Sequence, residues 1–308
     1  MSELRIIQVP EGLSGSRVDA GVAKLLGLSR TIVADLLDSG KVASGGATLG
    51  KSDRLTTDQV IEIDLEAPKN RLLINADNVA GFNVVFQDEH IIVIDKPAGV
   101  AAHPSVGWNG PTVPGALLAL GIELSTSGAS ERQGIVQRLD VGTSGLMTLA
   151  KSELAYSRLK QMFRDRAVDK TYHALVQGHL DPSAGTFDAP IARHPKSEFK
   201  FHVADGGKDS ITHYETLEVF RSASLVEVDL ETGRTHQIRV HFAAYRHPLV
   251  GDTMYGADPT IAARLNLDRQ WLHAVRLAFV HPITGEQVQF ESKYPADLEA
   301  ALESLRIS

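Results

Sequence analysis

The N-terminal part of the chain changes twice between extended and helical patterns of apolar residues. Leu25 and Leu26 follow Val22 by three and four positions, which places all three on one face of a helix. The pattern predicts a strand over Leu4–Val9, a helix from Arg17 to Gly27, a second helix from Ser29 to Gly40, and strands over Lys41–Ser44 and Gln59–Leu65. These elements predict a small domain over residues 1–70, with a linker starting at Pro68.

The pattern of apolar residues over residues 71–308 predicts a larger domain in which strands outnumber helices. The first predicted elements are a hairpin of Val84–Gln87 with Ile91–Asp95, a strand, tight turn and strand across Ile135–Ala150, a helix capped by Ser152, and a strand over Lys170–Gln177. The later ones are strands over Thr212–Phe220 and Leu225–Leu230, a short helix capped by Thr235, two strands within residues 271–293, and a helix over Ala296–Leu305. Residues 190–209 are predicted to be irregular. The predicted fold class is α+β, with a mixed, mainly antiparallel sheet and flanking helices.

Composition excludes several classes of protein. Apolar residues make up 43% of the chain and charged residues 22%, as in globular proteins, and no apolar run is long enough to span a bilayer. The chain has no cysteine, so disulfides, a thiolate nucleophile and a cysteine zinc site are excluded. The N-terminus has no basic segment followed by an apolar one, as a secretory signal would. We therefore expect a cytoplasmic protein with no membrane partner.

The charge pattern permits a nucleic acid partner without requiring one. The net charge is −7, which opposes binding to phosphates, but basic residues outnumber acidic ones between positions 130 and 170. Several of them, Arg158, Lys160 and Arg164 among them, lie on the outer face of the helix that Ser152 caps. Such charges are usually solvated, but here they are also candidate contacts to an RNA backbone.

The candidate chemistry centres on the stretch Gln137-Arg-Leu-Asp-Val-Gly-Thr-Ser-Gly145. In an extended strand, Arg138 and Asp140 would project from the same face, which would bring a guanidinium beside a carboxylate. An aspartate before a glycine-containing turn is also a common cap of the turn's own backbone. The motif alone therefore leaves both a catalytic and a structural role open.

This stretch closely resembles the motif that carries the single catalytic aspartate of the large-subunit-type (RluA/RluD class) RNA pseudouridine synthases. Arg138 to Asp140 and Thr143 to Gly145 match that motif, whereas Gln137 stands where the family usually has histidine. The resemblance implies the pseudouridine synthase fold, the isomerisation of uridine to pseudouridine in RNA, and Asp140 as the catalytic residue.

Two later stretches resemble further motifs of the same family. In Lys170-Thr-Tyr-His-Ala174, Tyr172 shares a strand face with apolar residues, which is typical of core packing, whereas the resemblance implies that its ring stacks on the target base. Gly233-Arg-Thr-His-Gln-Ile-Arg239 matches the third motif throughout, and the resemblance implies that Arg239 keeps Asp140 charged. His236 is a candidate RNA contact. A metal site at His236 and His241 is not predicted, because the pattern offers no third ligand.

The N-terminal domain resembles the small RNA-binding module of a ribosomal small-subunit protein. The matching features are Arg17-Val-Asp-Ala, Leu28-Ser-Arg-Thr, Asp38-Ser-Gly-Lys-Val and Asp58-Gln-Val-Ile-Glu-Ile. Arg17, Arg30 and Lys41 could present a basic face to phosphates, or they could be ordinary solvated charges.

The resemblance implies an enzyme that needs no cofactor, because the isomerisation adds no group and removes no electrons. The sequence has neither of the common glycine-rich phosphate-binding motifs. A carboxylate buried alone would be neutralised, so a cation has to hold Asp140 charged. Asp140 would then attack a carbon or remove a ribose proton, Tyr172 would assist proton removal at carbon five of the base, and Arg138 would help to displace the uridine from its helix. We expect a monomer that acts on RNA, and the N-terminal module together with the motifs favours large-subunit ribosomal RNA.

Two other classes remain open at this point. A non-catalytic RNA-binding protein would explain the basic surfaces but not the three motifs. A glycosidase or nucleosidase would normally use two carboxylates, and the three motifs contain no second one.

Overall fold

The computed structural model describes residues 2–26, 28, 30–66, 74–105, 107–128, 132–197 and 199–307. These residues separate into two compact units, one within Met1–Leu73 and Thr126–Gln133, the other within Ile74–Ser125 and Gly134–Ser308. The predicted linker at Pro68, the helix end at Gly27 and the cap at Ser29 lie outside the described residues. No helix in the described ranges combines the length and apolar character needed to cross a membrane.

The first unit contains two helices and a four-stranded sheet. Its elements are β1 (Ser2–Gln8), α1 (Val18–Leu26), α2 (Arg30–Asp38), β2 (Val42–Ser44), β3 (Ala47–Thr48) and β4 (Val60–Glu66). The sheet has the order β1-β4-β2-β3. Val18 and Val22 of α1 and Val33 of α2 are fully buried in a shared core with Ile61 and Ile63 of β4. The helical and extended patterns in this part of the sequence are therefore confirmed.

The second unit is built around a long sheet. Its elements in chain order are β5 (Asn83–Gln87), β6 (Ile91–Lys96), α3 (Val113–Ala119), β7 (Ser144–Ala150), α4 (Glu153–Arg164), β8 (Val168–Gln177), β9 (Ala184–Asp188), β10 (Ile191–Arg193), β11 (Phe201–Val203), β12 (Ile211–Val219), β13 (Ala223–Leu230), α5 (Gln237–Ala244), α6 (Pro259–Arg264), β14 (Leu272–Val280), β15 (Gln287–Glu291) and α7 (Ala296–Ile307). The sheet order is β5-β6-β7-β14-β8-β13-β12-β9, with β15 also paired to β14.

Most strand pairs in this sheet are antiparallel, and β7 with β14 is a parallel pair. The predicted α+β class with a mixed, mainly antiparallel sheet is therefore confirmed. Helix α4 begins as predicted, because the Ser152 side chain accepts a hydrogen bond from the Ala155 amide. The prediction for residues 190–209 was wrong, because β10 and β11 pair within this segment as a short antiparallel ladder.

The predicted strand immediately before Asp140 does not form. Ile135 makes a single bridge with Leu149, and the residues from Val136 to Thr143 have no regular structure. Strand β7 is already paired with β6 along one edge, and β14 occupies its other edge at Ser144 and Gly145. The pairing that begins at Ile135 therefore cannot continue to the start of β7, and the segment that carries Asp140 crosses the end of the sheet as a loop.

The two faces of the sheet are covered by different helices. On one face, α3 and α5 pack with Tyr172, Ala174 and Val176 of β8 in one core cluster. On the other face, α4 packs over β7, while α6 and α7 pack over β8 and β13. Asp140 and the pocket described below lie at the end of the face that α5 covers.

Candidate active site

Asp140 sits in the irregular turn that leads into β7. The Thr143 amide donates to the Asp140 carbonyl at 3.1 Å, which closes the turn. Gly145 then starts the approach of β7 to β14, with a φ of +113°, and a Cβ there would stand 2.3 Å from the Ala274 carbonyl oxygen. Only glycine satisfies both the dihedral angle and the contact. The Thr143-Ser-Gly145 motif thus fixes where the turn leaves the sheet.

Arg239 places its guanidinium against the Asp140 carboxylate. Its Nη1 donates to Asp140 Oδ2 at 3.1 Å, while Nε and Nη2 donate to the two oxygens of Asp252 at 2.6 and 2.9 Å. The Arg239 and Asp252 side chains are only 7% and 1% exposed, and that of Asp140 is 15% exposed. Burial alone would lower the pKa of Arg239, but the hydrogen bonds and charge of Asp252, and then of Asp140, outweigh it and raise that pKa. The guanidinium is therefore a permanent cation beside Asp140.

One oxygen of Asp140 remains available. Oδ2 accepts from Arg239, but no residue in the described ranges hydrogen-bonds Oδ1. Asp140 lines a pocket whose apolar side is formed by Leu139, Tyr172, Leu230, Ile238 and Leu272, while Arg138, Arg234, His236 and Arg239 are among its polar residues. The carboxylate with its one free oxygen therefore shares the pocket with an apolar wall that suits a flat ring.

Tyr172 supplies much of that wall. It lies in β8 on the same face as Ala174, as the strand alternation predicts, and it is 8% exposed. Burial, together with the nearby charge of Asp140, raises the pKa of Tyr172. The phenol is therefore protonated at neutral pH.

His236 is a second neighbour of Asp140, and a short hydrogen-bond network on the other side of its ring holds it there. The Phe201 amide donates to the Tyr255 hydroxyl at 3.0 Å, and that hydroxyl lies 2.8 Å from His236 Nδ1. Nε2 of His236 stands 3.8 Å from Asp140 Oδ2. Burial lowers the pKa of His236 in spite of the Asp140 charge, so the ring is neutral and does not form an ion pair at neutral pH.

The backbone at His236 differs from the prediction. His236, not Thr235, occupies the cap position of α5, and it adopts a left-handed conformation with φ of 57°. No side chain caps this helix end. With this backbone conformation, the imidazole of His236 lies near the Asp140 carboxylate. The side chain of Arg239, one turn later in α5, reaches the same carboxylate.

Three of the predicted site residues, Asp140, Tyr172 and Arg239, thus meet at one pocket, and Arg138 and His236 also line it. Arg138 is exposed at the pocket, as a group that contacts RNA would be. The structure does not bring Arg164 to this place, because α4 packs on the opposite face of the sheet.

The remaining predicted RNA contacts lie in the first unit. Arg17 and Arg30 share the carboxylate of Asp19, at 3.1 and 2.7 Å. Their hydrogen bonds, first that of Arg17 and then that of Arg30, lower the pKa of Asp19 to about 2. Both side chains stay well exposed, at 47% and 62%. Lys41 directly precedes β2 and is partly buried.

Sequence reasoning missed Asp252. It follows Gly251, whose φ is +85° and whose missing Cβ lets the Arg269 carbonyl approach to 2.0 Å of the position a Cβ would take. The glycine before an aspartate, in His247-Pro-Leu-Val-Gly-Asp252, was the available signal. The second carboxylate that the three motifs lack is therefore present behind Arg239, with both oxygens engaged.

Lys96 was also missed as a residue of the site, although it directly follows the predicted strand Ile91–Asp95. The side chain is fully buried, and Nζ donates to the carbonyls of Val100 at 2.8 Å and Pro97 at 3.0 Å, with Val141 at 3.4 Å. Burial lowers the pKa of Lys96 to about 7, although the Asp140 charge opposes this. Lys96 thus connects the turn after β6 to the residue that follows Asp140.

The polar side chains of Gln137 and His241 have different surroundings. Gln137, in place of the family histidine, has its amide nitrogen buried without a hydrogen-bond partner in the described part of the chain. Both ring nitrogens of His241 are engaged, with Thr212 Oγ1 and the Ala189 carbonyl, each at 2.9 Å. Within the described ranges, no group of three or more possible ligands could hold a metal ion.

Comparisons with known proteins identify the family of this site. The RNA pseudouridylate synthase family matches residues 90–244, which include Asp140, Tyr172 and Arg239. An uncharacterized RNA pseudouridine synthase of Mycobacterium bovis is 57% identical over 302 residues, covering 98% of each chain. The ribosomal large subunit pseudouridine synthase D of Zymomonas mobilis is 38% identical over 311 residues, again covering 98% of each chain.

Solved structures agree with the sequence comparisons. Human RNA pseudouridylate synthase domain containing 1 is 25% identical, with a TM-score of 0.58 over 74% of this chain and 96% of the human one. The chain belongs to the RNA pseudouridylate synthase family, whose members isomerise uridine to pseudouridine in RNA.

Proposed function

We propose that this enzyme modifies uridines in large-subunit ribosomal RNA and that Asp140 is its catalytic residue. The observation that carries the second part is the 3.1 Å contact of Arg239 with one oxygen of Asp140, which leaves the other oxygen facing the pocket. The similarity to ribosomal large subunit pseudouridine synthase D over nearly the whole chain supports the choice of RNA.

The reaction breaks the bond between the ribose and N1 of uracil, turns the base, and joins the ribose to carbon five. The hydrogen on carbon five leaves and N1 gains a proton, so atoms and electrons balance without a cofactor. Asp140 starts the sequence as a charged carboxylate, either by attacking a carbon or by removing a ribose proton. Arg239 balances the charge of this carboxylate and holds it in place through the 3.1 Å hydrogen bond.

Tyr172 stacks on the uracil ring and assists the loss of the proton from carbon five. Its ring is part of the apolar wall, and its raised pKa keeps the phenol protonated. The proton from carbon five therefore passes to a water molecule that the hydroxyl holds, not to the phenol itself. Arg138 lies exposed at the pocket, where it takes the place of the displaced uridine in the RNA helix.

The first unit holds further RNA contacts in this proposal. Arg17 and Arg30 keep exposed guanidiniums although they share Asp19, and with Lys41 they contact phosphates. His236 contacts RNA from the pocket, and Arg164 contacts a more distant part of the backbone from the opposite face of the sheet. We further propose that the enzyme acts in the cytoplasm as a monomer and without a cofactor.

Release of tritium from carbon five of labelled uridine tests the assignment of Asp140. Large-subunit ribosomal RNA transcribed with this label is the substrate, and Asp140→Asn is the variant. Turnover should be abolished while RNA affinity is kept, because asparagine preserves the volume of the side chain but not its charge. Asp165→Asn, at the end of α4 on the opposite face, is the matched control. Turnover by Asp140→Asn at the wild-type rate would remove Asp140 from the mechanism.

Mapping pseudouridine in cellular RNA, with and without the protein, tests the choice of RNA. Loss of modified positions from large-subunit ribosomal RNA is the expected result. Loss confined to transfer RNA would overturn this choice and leave the role of Asp140 untouched.

A nucleosidase would use a second carboxylate as a general acid, and the second carboxylate of this site, Asp252, is not placed for that role. Asp252 is 1% exposed, and both of its oxygens accept hydrogen bonds from Arg239. It therefore cannot approach a leaving base as a general acid.

A further inference from the structure

Three successive carbonyls of the turn that carries Asp140 accept hydrogen bonds from different groups. The Asp140 carbonyl accepts from the Thr143 amide, the Val141 carbonyl accepts from the Gly99 amide at 2.8 Å, and the Gly142 carbonyl accepts from Arg269 Nη1 at 3.1 Å. Because the turn belongs to no strand or helix, these bonds determine where Asp140 stands.

Arg269 is the charged member of this set, and it is anchored at its other end. Its Nε and Nη2 donate to the two oxygens of Asp297, in the first turn of α7, at 2.7 and 3.0 Å. The Arg269 side chain is only 9% exposed, whereas that of Asp297 is 38% exposed. A planar guanidinium can bind a carboxylate with one edge and a carbonyl with its third nitrogen, which a lysine ammonium cannot do in the same geometry.

The next residue supports the same turn. Gln270 Nε2 donates to Thr143 Oγ1 at 3.3 Å, and the amide group of Gln270 lies so close to Gly142 that a Cβ there would stand 2.6 Å from Oε1. Gln270 is 7% exposed. Gly142 is therefore a point of close approach between the turn and this segment.

The main chain of the same segment supports the other side of the site. The Arg269 carbonyl packs against Gly251, and the Trp271 amide donates to the Val250 carbonyl at 2.8 Å. Gly251 directly precedes Asp252, which orients Arg239. Arg269 thus contacts Asp140's turn with its side chain and Asp252's turn with its backbone.

We propose that Arg269 is a positioning residue for the isomerisation, because its guanidinium sets the separation between Asp140 and the Arg239–Asp252 pair. The proposal rests on the assignment of Asp140 as the catalytic carboxylate. Arg269 does not line the pocket, so in this proposal it does not contact the bound nucleotide. Its loss should therefore slow the reaction of bound RNA without weakening the binding of RNA.

The test compares Arg269→Gln with a matched variant, Arg306→Gln. Arg306 also pairs with a carboxylate through two nitrogens, to Glu218 at 2.8 to 3.2 Å, and also ties α7 to the sheet, but it contacts no part of the turn. Single-turnover tritium release from the labelled ribosomal RNA gives the saturating rate and the half-saturating enzyme concentration separately. We expect Arg269→Gln to lower the saturating rate roughly 10- to 100-fold, with the half-saturating concentration unchanged within about two-fold.

Two further variants keep the test decisive if Arg269→Gln does not fold. Arg269→Lys preserves the charge and Asp297→Asn preserves the contact with Gly142, so each should show a smaller loss in the same rate. In the combined variant, Asp297→Asn should add little to Arg269→Gln, since both act through one contact. Thermal unfolding identifies the variants that are folded.

The outcomes separate cleanly. A loss in Arg306→Gln equal to that in Arg269→Gln would mean that only the docking of α7 matters, and the proposal would be wrong. It would also be wrong if the loss appeared only in the half-saturating concentration, or if Arg269→Lys and Asp297→Asn both reacted at the wild-type rate. Asp140→Asn is measured in parallel, and normal turnover by that variant would reject the proposed catalytic role of Asp140 itself.

Discussion

Asp252 binds Arg239 through both of its carboxylate oxygens, at 2.6 and 2.9 Å, in a part of the protein where neither side chain is appreciably exposed. This pairing leaves a single guanidinium nitrogen, Nη1, for Asp140. The Arg239–Asp140 pair, which has one hydrogen bond, therefore lies at the pocket. The Arg239–Asp252 pair, which has two, fixes the orientation of the guanidinium. Arg239 also lies 5.0 Å from the centre of the Tyr255 ring, which restricts it from a third side.

The first prediction follows from this unequal sharing. Asp252→Asn removes the charge and one of the two acceptor oxygens, so Arg239 is no longer held with Nη1 towards Asp140. We expect the rate at which bound RNA reacts to fall on the order of 100-fold, because small displacements of catalytic groups have effects of this size. Single-turnover tritium release is the measurement.

Asp258→Asn is the matched control for that variant. Asp258 caps α6 by accepting a hydrogen bond from the Thr260 amide at 2.8 Å and does not contact Arg239. Because asparagine caps a helix about as well as aspartate, this variant should keep both its stability and its turnover. Full turnover by Asp252→Asn would show that Arg239 keeps its orientation without that partner.

The second prediction concerns the hydroxyl of Tyr172. Tyr172→Phe keeps the buried ring, so stability and RNA affinity should change little, but turnover should fall about 100-fold if the hydroxyl takes part in proton transfer. Tyr214→Phe removes a hydroxyl from the same core cluster, one that donates to the Pro182 carbonyl at 3.2 Å, and should leave turnover intact. Equal activity of Tyr172→Phe and wild type would reduce Tyr172 to a surface on which the base stacks.

The third prediction uses the buried ammonium of Lys96. Burial lowers the pKa of Lys96 from 10.5 to about 7 in the folded protein, whereas the unfolded chain keeps the ordinary value. Between these values the unfolded chain binds one more proton than the folded protein, so the free energy of unfolding rises with pH. The slope contributed by this group approaches about 1.4 kcal/mol per pH unit.

Denaturant unfolding at several pH values from about 7.5 to 9.5 measures that slope. Lys96→Met removes the titrating group, so its stability should vary less with pH than that of the wild type. The window stops below about 10, where tyrosines begin to ionise in the unfolded chain, because folding raises the pKa of Tyr172 and, to about 12, that of Tyr294. Parallel slopes for the two proteins would place the titration elsewhere.

The local patterns of the sequence determined most elements of the fold. The alternation in β8 placed Tyr172 on the buried face with Ala174, and Ser152 marked the start of α4. Both signals are local, because strand alternation and helix capping depend on residues within a few positions of each other. The motifs also named Asp140, Tyr172 and Arg239 as residues of one site before any distance between them was known.

Only the tertiary structure decided how those residues are held. The turn at Asp140 is a loop rather than a strand because β14, more than a hundred residues later, occupies the edge of β7. The orientation of Arg239 depends on Asp252, and the position of the turn depends on Arg269. These contacts join residues that are distant in the chain, and no local period or propensity records them. The sequence by itself therefore identified Asp140, Tyr172 and Arg239, whereas long-range packing decided their geometry and brought Asp252 to Arg239.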